Sequence, residues 1–424
     1  MFDMVSMDQA MQLIRSGMRV YVQGTASTPR SLLQAFTRRG PQLSDVTLVH
    51  MHLEGPAPWV EGDCLGHVHD VSLFVGPNLR AAMRSGTASY IPLFLSDVPW
   101  YLSQPETRPH VALINVSPPD RHGFVSLGPS IDASLTAIAQ ADIVIAQVNP
   151  QVPRVLGDAC IPMDRITVGV AVDEPLSVLP ERPLDQAVTA IGRIVAELVP
   201  DRACLQIGIG RVPDAVLSAL ADHRDLGVHS EMMSDGVRHL AAQGVITGRY
   251  KATDPGKIVA SFALGSRDLY DFVADNPGVS LHGVDYTNDT AVIRQNPRMV
   301  SVNSAVEVDI TGQVAAEAIG PYVVSGVGGQ MDFVRGASLA PEGRSIIALP
   351  ARIAKGEPRI VASLRQGAAV TTTRNHVQYV VTEYGVAELK GATIEERARR
   401  MIAIAHPEDR EGLWREAKEL VPGL

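Results

Sequence analysis

The sequence predicts an α/β protein of two tandem domains, each an open, mainly parallel sheet flanked by helices. Three observations point that way. Short apolar runs alternate with helical patterns along the whole chain, one strand-turn-helix pattern occurs twice, and 424 residues exceed what one hydrophobic core usually supports.

The elements follow in order. The N-terminal MFDMVSMDQAMQLIRSGMRV carries acids early and an amphipathic helical pattern, without the basic start and apolar run of a signal peptide. Val20 to Val22 is a short apolar run closed by a glycine turn, and Arg30 to Thr37 spaces its apolar residues as a helix does. Val111 to Val116 and Ile143 to Val148 read as buried strands, followed by helices over Asp185 to Leu198 and Asp214 to Asp222. Ile258 to Phe262, Ile346 to Leu349 and Tyr379 to Val381 continue the strands, and Ile394 to Ala405 is a helix.

The repeated pattern is VQGTASTPRSLLQAF near the start and QIGIGRVPDAVLSAL in the middle. They align without a gap, Gly24 on Gly208, Pro29 on Pro213, Leu33 on Leu217 and Ala35 on Ala219. Glycine lets a backbone approach a ligand, and proline near a first helical turn loses no useful hydrogen bond. The Pro-rich Asp173 to Pro183 is the most link-like stretch between the copies, so the domains are expected at 1–178 and 184–424.

Composition narrows the function. Hydrophobic residues at 46% and charged residues at 20% are ordinary globular values, and no apolar run reaches the roughly 18 residues of a membrane span. A formal net charge of -9 argues against a nucleic-acid partner, so an anionic ligand would need a local basic pocket. Cys64, Cys160 and Cys204 match no metal spacing and suit a reducing compartment. A soluble, cytoplasmic protein is expected.

The segment with most chemistry is His229 to Gly236, HSEMMSDG, where Glu231 lies between a strand ending near Val228 and an apparent turn at Ser234, Asp235 and Gly236. A carboxylate at the end of a parallel strand sits where open α/β sheets present ligands. It could attack a thioester carbonyl, expelling a thiolate and leaving an acyl-glutamyl anhydride. Backbone N–H groups at Gly328 and Gly329, in SGVGGQMDF, are suited to receive the charge that develops on oxygen.

Seven segments in order carry a family resemblance: VSPPDRHGFVSLG, QVNPQVPRVLGD, LQIGIGRVPDAV, GVHSEMMSDG, VNSAVEVDITGQV, GVGGQMDFVRGA and TEYGVAELKG. Together the chain resembles the acetyl-CoA hydrolase/transferase family of class I CoA-transferases, which includes the 4-hydroxybutyrate and butyrate–acetate enzymes. The resemblance implies two domains of the CoA-transferase type, with the second supplying the catalytic residues in a cleft where the domains face each other. It implies Glu231 as the residue forming the anhydride and then a glutamyl-CoA thioester. It implies Gly326, Gly328 and Gly329 as the oxyanion and CoA-binding loop, with Gln206 and Asn288 supporting. Where many class I enzymes have an aromatic residue after this loop, the chain has Gln330, which with Glu54 is a candidate for the substrate pocket.

The implied reaction is ping-pong between an acyl-CoA donor and a small carboxylic acid. The candidate acids are acetate, butyrate, 4-hydroxybutyrate, succinate or itaconate. CoA thioester is a substrate, no metal or permanent cofactor is needed, and a homo-oligomer, as a dimer, is expected. A hydrolase differs only in letting water reach the intermediate.

Other readings compete. Gly208, Gly210 and an acid about twenty residues on, Glu231, imitate a dinucleotide fingerprint, and Pro213 breaks it where a small residue is wanted. His52 and Glu54 repeat the His-x-Glu spacing, making Glu54 a rival nucleophile. His50 and His52, and His67 and His69, share strand faces as metal ligands would, without a third ligand at a telling spacing. No G-x-S-x-G elbow supports a serine hydrolase. A catalytically silent CoA or nucleotide sensor on the same fold is a further possibility. Arg30, Arg84 and Arg335 are candidate cations for a second carboxylate or a CoA phosphate, and Glu383 fits structural pairing.

Overall fold

The computed structural model describes residues 2–180 and 183–424. It divides into two compact units. The first is Met1–Pro180 with Val259–Thr287 and Val323–Gly326, and the second is Glu181–Ile258 with Asn288–Tyr322 and Val327–Leu424.

The sheet of the first unit runs in the order Asp3–Met4, Val168–Ala171, Ile143–Val148, Val111–Val116, Arg19–Val22, Val46–His50, Val68–Ser72, Ala88–Tyr90. Every neighbouring pair is parallel. Parallel strands buried on both faces read as continuous apolar runs, and Val111–Val116 is buried at all positions. The helix Arg30–Arg39 lays Leu32, Leu33 and Phe36 on Val20, Val22 and Leu48. Each such buried side chain contributes about 1.5–3 kcal/mol of apolar burial.

In the second unit the strands Gly227–His229, Cys204–Ile207, Met299–Asn303, Arg344–Ala348 and Tyr379–Thr382 are parallel neighbours in that order, and Gly385–Glu388 closes the edge antiparallel. A core of Val308, Ile347, Leu349, Val380, Met401 and Ile402 packs one region of it. Cys204, Met299 and Ile293 gather around Phe333 and Ala337 of the helix Gln330–Leu339.

The repeated segment becomes a strand, turn and helix in each unit: Arg19–Val22 leading to Arg30–Arg39, and Cys204–Ile207 leading to Arg211–Ala219. The copies differ at the helix start. Pro29 precedes its helix, whereas Pro213 lies within the first turn of a helix that begins at Arg211, earlier than the Asp214 expected from spacing. Gly210, at φ 117°, makes that earlier start possible.

Three further expectations change. Ser234, Asp235 and Gly236 are not a free turn: Ser234 is the extended N-cap of the helix Asp235–Ala242, and Gly236 lets that helix close on Leu217, 2.6 Å from where a Cβ would stand. The run Ile258 to Phe262 is two short strands, Ile258–Ala260 and Phe262–Ala263. The single cut expected between 178 and 184 differs from the observed grouping, in which Val259–Thr287 and Val323–Gly326 go with the first unit. Pairing explains this: Ile131 N–H donates to Ser261 O, Leu281 N–H to Leu156 O, and Val75 N–H to Ser325 O. Part of the expected linker, residues 181 and 182, lies outside the described residues.

Candidate active site

Glu231 stands two residues beyond the strand Gly227–His229, which pairs in parallel register with Cys204–Ile207, so it lies at the carboxyl end of the sheet. Ser230 anchors this end, its hydroxyl donating to Ile207 O at 3.2 Å. The helix Gln330–Leu339 begins at Gly329, whose N–H donates to the Glu231 carboxyl. Asn288 Nδ2 donates to Glu231 Oε2 at 3.4 Å and to Asp332 Oδ2 at 3.1 Å. Asn288 and Asp332 are both buried.

Gly329 has no substitute. A Cβ there would collide with the Glu231 carboxyl and the Asn288 amide, so only glycine brings this N–H onto the carboxyl. Gly328, at φ 55°, turns the chain into the helix.

The Glu231 carboxyl is pushed up to about 7. Burial is the main cause, followed by the opposing hydrogen bond from Asn288, the like charge of Asp332, and the opposing Gly329 N–H. Near neutral pH roughly half the molecules therefore carry a desolvated carboxylate, a stronger base than an ordinary glutamate.

The remaining sequence candidates separate. Gln206 is buried on its strand and exchanges two hydrogen bonds with Asn303, at 3.1 and 3.4 Å. Gln330 Nε2 donates to Thr372 Oγ1 at 3.2 Å. Gly326 belongs to the first unit, where a Cβ would stand 2.8 Å from the Phe74 ring, unlike the expectation that the whole loop came from the second domain. Glu54 is also in the first unit and differs chemically from Glu231. His52 Nε2 donates to its Oε1 at 2.7 Å, and that bond holds the Glu54 carboxyl below the usual range. A carboxylate stabilised by its own histidine is a weak nucleophile, so the two His-x-Glu pairs are not equivalent.

Asp332 and Asn303 were not singled out from sequence. Both lie inside recognised segments, Asp332 three residues past Gly329 and Asn303 at the end of the strand beside Gln206. An acid in a first helical turn usually serves its own helix, which hid the first.

The competing sites come apart in the same way. His50, His52, His67 and His69 bond to Asp70, Glu54, Leu43 O and Asp45 respectively. Among the described residues no group of three or more His, Cys, Asp or Glu is arranged to hold a metal ion. Ser280, His282 and Asp158 form a serine–histidine–aspartate chain at 2.9 and 2.8 Å, but Ser280 is only 3% exposed and out of reach of a substrate. In the dinucleotide imitation the acid is Glu231, whose carboxyl is engaged by Gly329 and Asn288 instead of free to meet a ribose. Arg30 is bound to Pro175 O and Glu174, and Glu383 accepts from Ala351 N–H at 2.9 Å, whereas Arg335 is exposed.

The sequence matches the acetyl-CoA hydrolase/transferase N-terminal domain over residues 3–181 and the C-terminal domain over residues 265–417. The chain belongs to the acetyl-CoA hydrolase/transferase family. Within the acetyl-CoA hydrolase/transferase family it is 46% identical, over 97% of its own length and 86% of the other, to succinyl-CoA:acetate/propanoyl-CoA:succinate CoA transferase of Fasciola hepatica. It is 44% identical to 4-hydroxybutyrate coenzyme A transferase of Clostridium kluyveri, covering 98% and 97%. The crystal structure of RipA from Yersinia pestis superposes with a TM-score of 0.93 at 34% identity, covering 99% and 97%. More distant is the acetyl-CoA hydrolase of Eremothecium gossypii, 27% identical over 79% of this chain and 72% of that one.

Proposed function

We propose that this protein is a CoA-transferase that moves CoA from an acyl-CoA donor to a small carboxylic acid, with Glu231 as nucleophile. The observation that carries the reading is the Glu231 carboxyl held against the N-terminus of Gln330–Leu339, with Gly329 N–H and the Asn288 amide both donating to it. The extensive identity to proteins named as CoA transferases supports it.

The steps balance without a redox partner. A Glu231 oxygen attacks the thioester carbonyl, the C–S bond breaks, and CoA leaves as thiolate from an acyl-glutamyl anhydride. The thiolate then adds to the Glu231 carbonyl carbon, the anhydride C–O bond breaks, and the donor acid departs from a glutamyl-CoA thioester. An acceptor carboxylate runs the same steps in reverse. When thiolate adds to Glu231, charge develops on the oxygen that Gly329 and Asn288 already address, so donors are in position before the charge appears. The acceptor class is a short acid: acetate, butyrate, 4-hydroxybutyrate, or a dicarboxylate such as succinate or itaconate. Glu54 and Gln330 are proposed for its pocket and Gln206 for support of the nucleophile. A cytoplasmic homodimer accompanies the proposal, and light scattering tests its oligomeric state.

The second reading is hydrolysis at the same site, favoured by the likeness to a protein named acetyl-CoA hydrolase. One experiment separates them: intact-protein mass spectrometry after mixing with acetyl-CoA or butyryl-CoA and no acceptor, then peptide mapping. A CoA adduct on Glu231 supports the transferase. Steady release of CoA without an adduct supports the hydrolase, and neither adduct nor release across the donor series sinks both.

A further inference from the structure

We propose that Asp332 is a positioning residue, holding the Asn288 amide with its N–H edge on Glu231 throughout the reaction. The inference rests on the transferase reading and assigns a task inside that site.

Asn288 Nδ2 lies between two carboxyl groups, 3.1 Å from Asp332 Oδ2 and 3.4 Å from Glu231 Oε2. A side-chain amide has one donor end and one acceptor end, and they exchange by a half-turn. Glu231 alone cannot fix that choice. When its carboxyl is protonated, its O–H would donate to the oxygen of a flipped amide, and such protonation is common near neutral pH because the group is pushed up to about 7. Asp332 offers the shorter contact, is 3% exposed, and lies on the rigid first turn of Gln330–Leu339. As an ionised acceptor it holds the amide in one orientation whether Glu231 is a carboxylate, an anhydride or a thioester.

The same residue sets the basicity of the nucleophile. Among the causes that act on the Glu231 carboxyl, Asp332 is the charged group. A fixed negative charge beside Glu231 disfavours its ionised form, so the nucleophile is more basic than burial alone would make it. Gly329 and Asp332 lie on one rigid turn, so the donor to Glu231, the anchor of Asn288 and the like charge move as a unit.

Two substitutions separate these effects. Asp332→Asn removes the charge but keeps a carbonyl oxygen to accept from Asn288, and Asp332→Ala removes both. Full-length wild type and variants are mixed with acetyl-CoA, alone to follow the rate of CoA-adduct formation and with butyrate as acceptor to follow steady exchange, from pH 5.5 to 9. For Asp332→Asn the plateau rate stays within a few-fold of wild type while the acid limb moves to lower pH by about one unit. For Asp332→Ala the plateau kcat falls on the order of tenfold or more, with KM for acetyl-CoA unchanged. An Asp332→Asn profile superimposed on wild type overturns the inference. So does an Asp332→Ala variant with wild-type kcat, and if that variant does not fold, the pH profile of Asp332→Asn decides alone. Failure of the wild type itself to form an adduct or exchange with any donor of the series would instead overturn the transferase reading.

Discussion

Replacing Glu231 by glutamine should stabilise the protein, and by an amount that depends on pH. The folded carboxyl titrates at about 7 against 4.5 for an ordinary glutamate. Between those values the folded state holds a proton that the unfolded state has released, so wild-type stability falls as pH rises through the window and is level above it. A displacement of roughly 2.5 units at about 1.36 kcal/mol per unit gives a loss of about 3 kcal/mol by pH 8. Glutamine has the same shape, its carbonyl accepts from Asn288 and Gly329, and it never ionises. Thermal unfolding of both proteins at pH 5, 6, 7 and 8 reads the difference. The two should melt together at pH 5, and at pH 8 the variant should melt higher by about 4 °C if the chain unfolds as one, or about twice that if the second unit unfolds alone. A melting difference that stays constant from pH 5 to 8, or a wild type more stable at pH 8, would refute the claim that burial dominates this carboxyl.

The remaining predictions concern turnover. Glu231→Ala should abolish CoA-adduct formation and exchange while far-UV circular dichroism is unchanged, because the side chain contributes chemistry and not packing. Wild-type kcat/KM should rise with pH to a plateau, half-maximal near 7, as the carboxylate forms; a limb centred near 4.5 would contradict the raised value. Gly329→Ala should lower kcat on the order of a hundredfold or more, since the added methyl displaces Glu231 and Asn288; comparing initial rates at matched folded concentration checks this. Glu54→Ala should retain the adduct on Glu231 and change chiefly the KM for the acceptor acid, and loss of the adduct would restore Glu54 as nucleophile.

Much of this was legible in the residues because it depends on short-range rules. Val111–Val116 and Ile143–Val148 are mainly apolar runs, each with one polar residue, Asn115 and Gln147, as suits a strand covered on both faces, and both occupy the expected positions. The carboxylate at the end of Gly227–His229 and the glycines near Gln330–Leu339 were readable for the same reason. Asp332 was not, since its role depends on which loop its helix faces, and nothing within GGQMDF says that Asn288 will be there. Nor could the sequence separate Glu54 from Glu231 by charge state. The difference lies in what each carboxyl meets: the His52 ring donates to Glu54, whereas burial dominates at Glu231.

The pull on Glu231 in opposite directions has a chemical logic. A nucleophile gains reactivity as its pKa rises, but by less than a factor of ten per unit, because the new bond is only partly formed in the transition state. Once the pKa passes the ambient pH, each further unit removes about a factor of ten from the ionised fraction. The product of the two is greatest where the pKa meets the working pH. Burial and Asp332 raise the carboxyl toward that point, while Asn288 and Gly329 prevent it from rising further. In the proposed reaction the same two donors also serve the oxyanion, so strengthening them to favour catalysis would lower the basicity of the proposed nucleophile. A buried acid on the same turn resolves that conflict, because it restores basicity without removing a donor. On this argument Asp332 and Gly329 form a compensating pair, and replacing either alone should shift the acid limb of the pH profile in opposite directions: downward without the charge, upward without the donor.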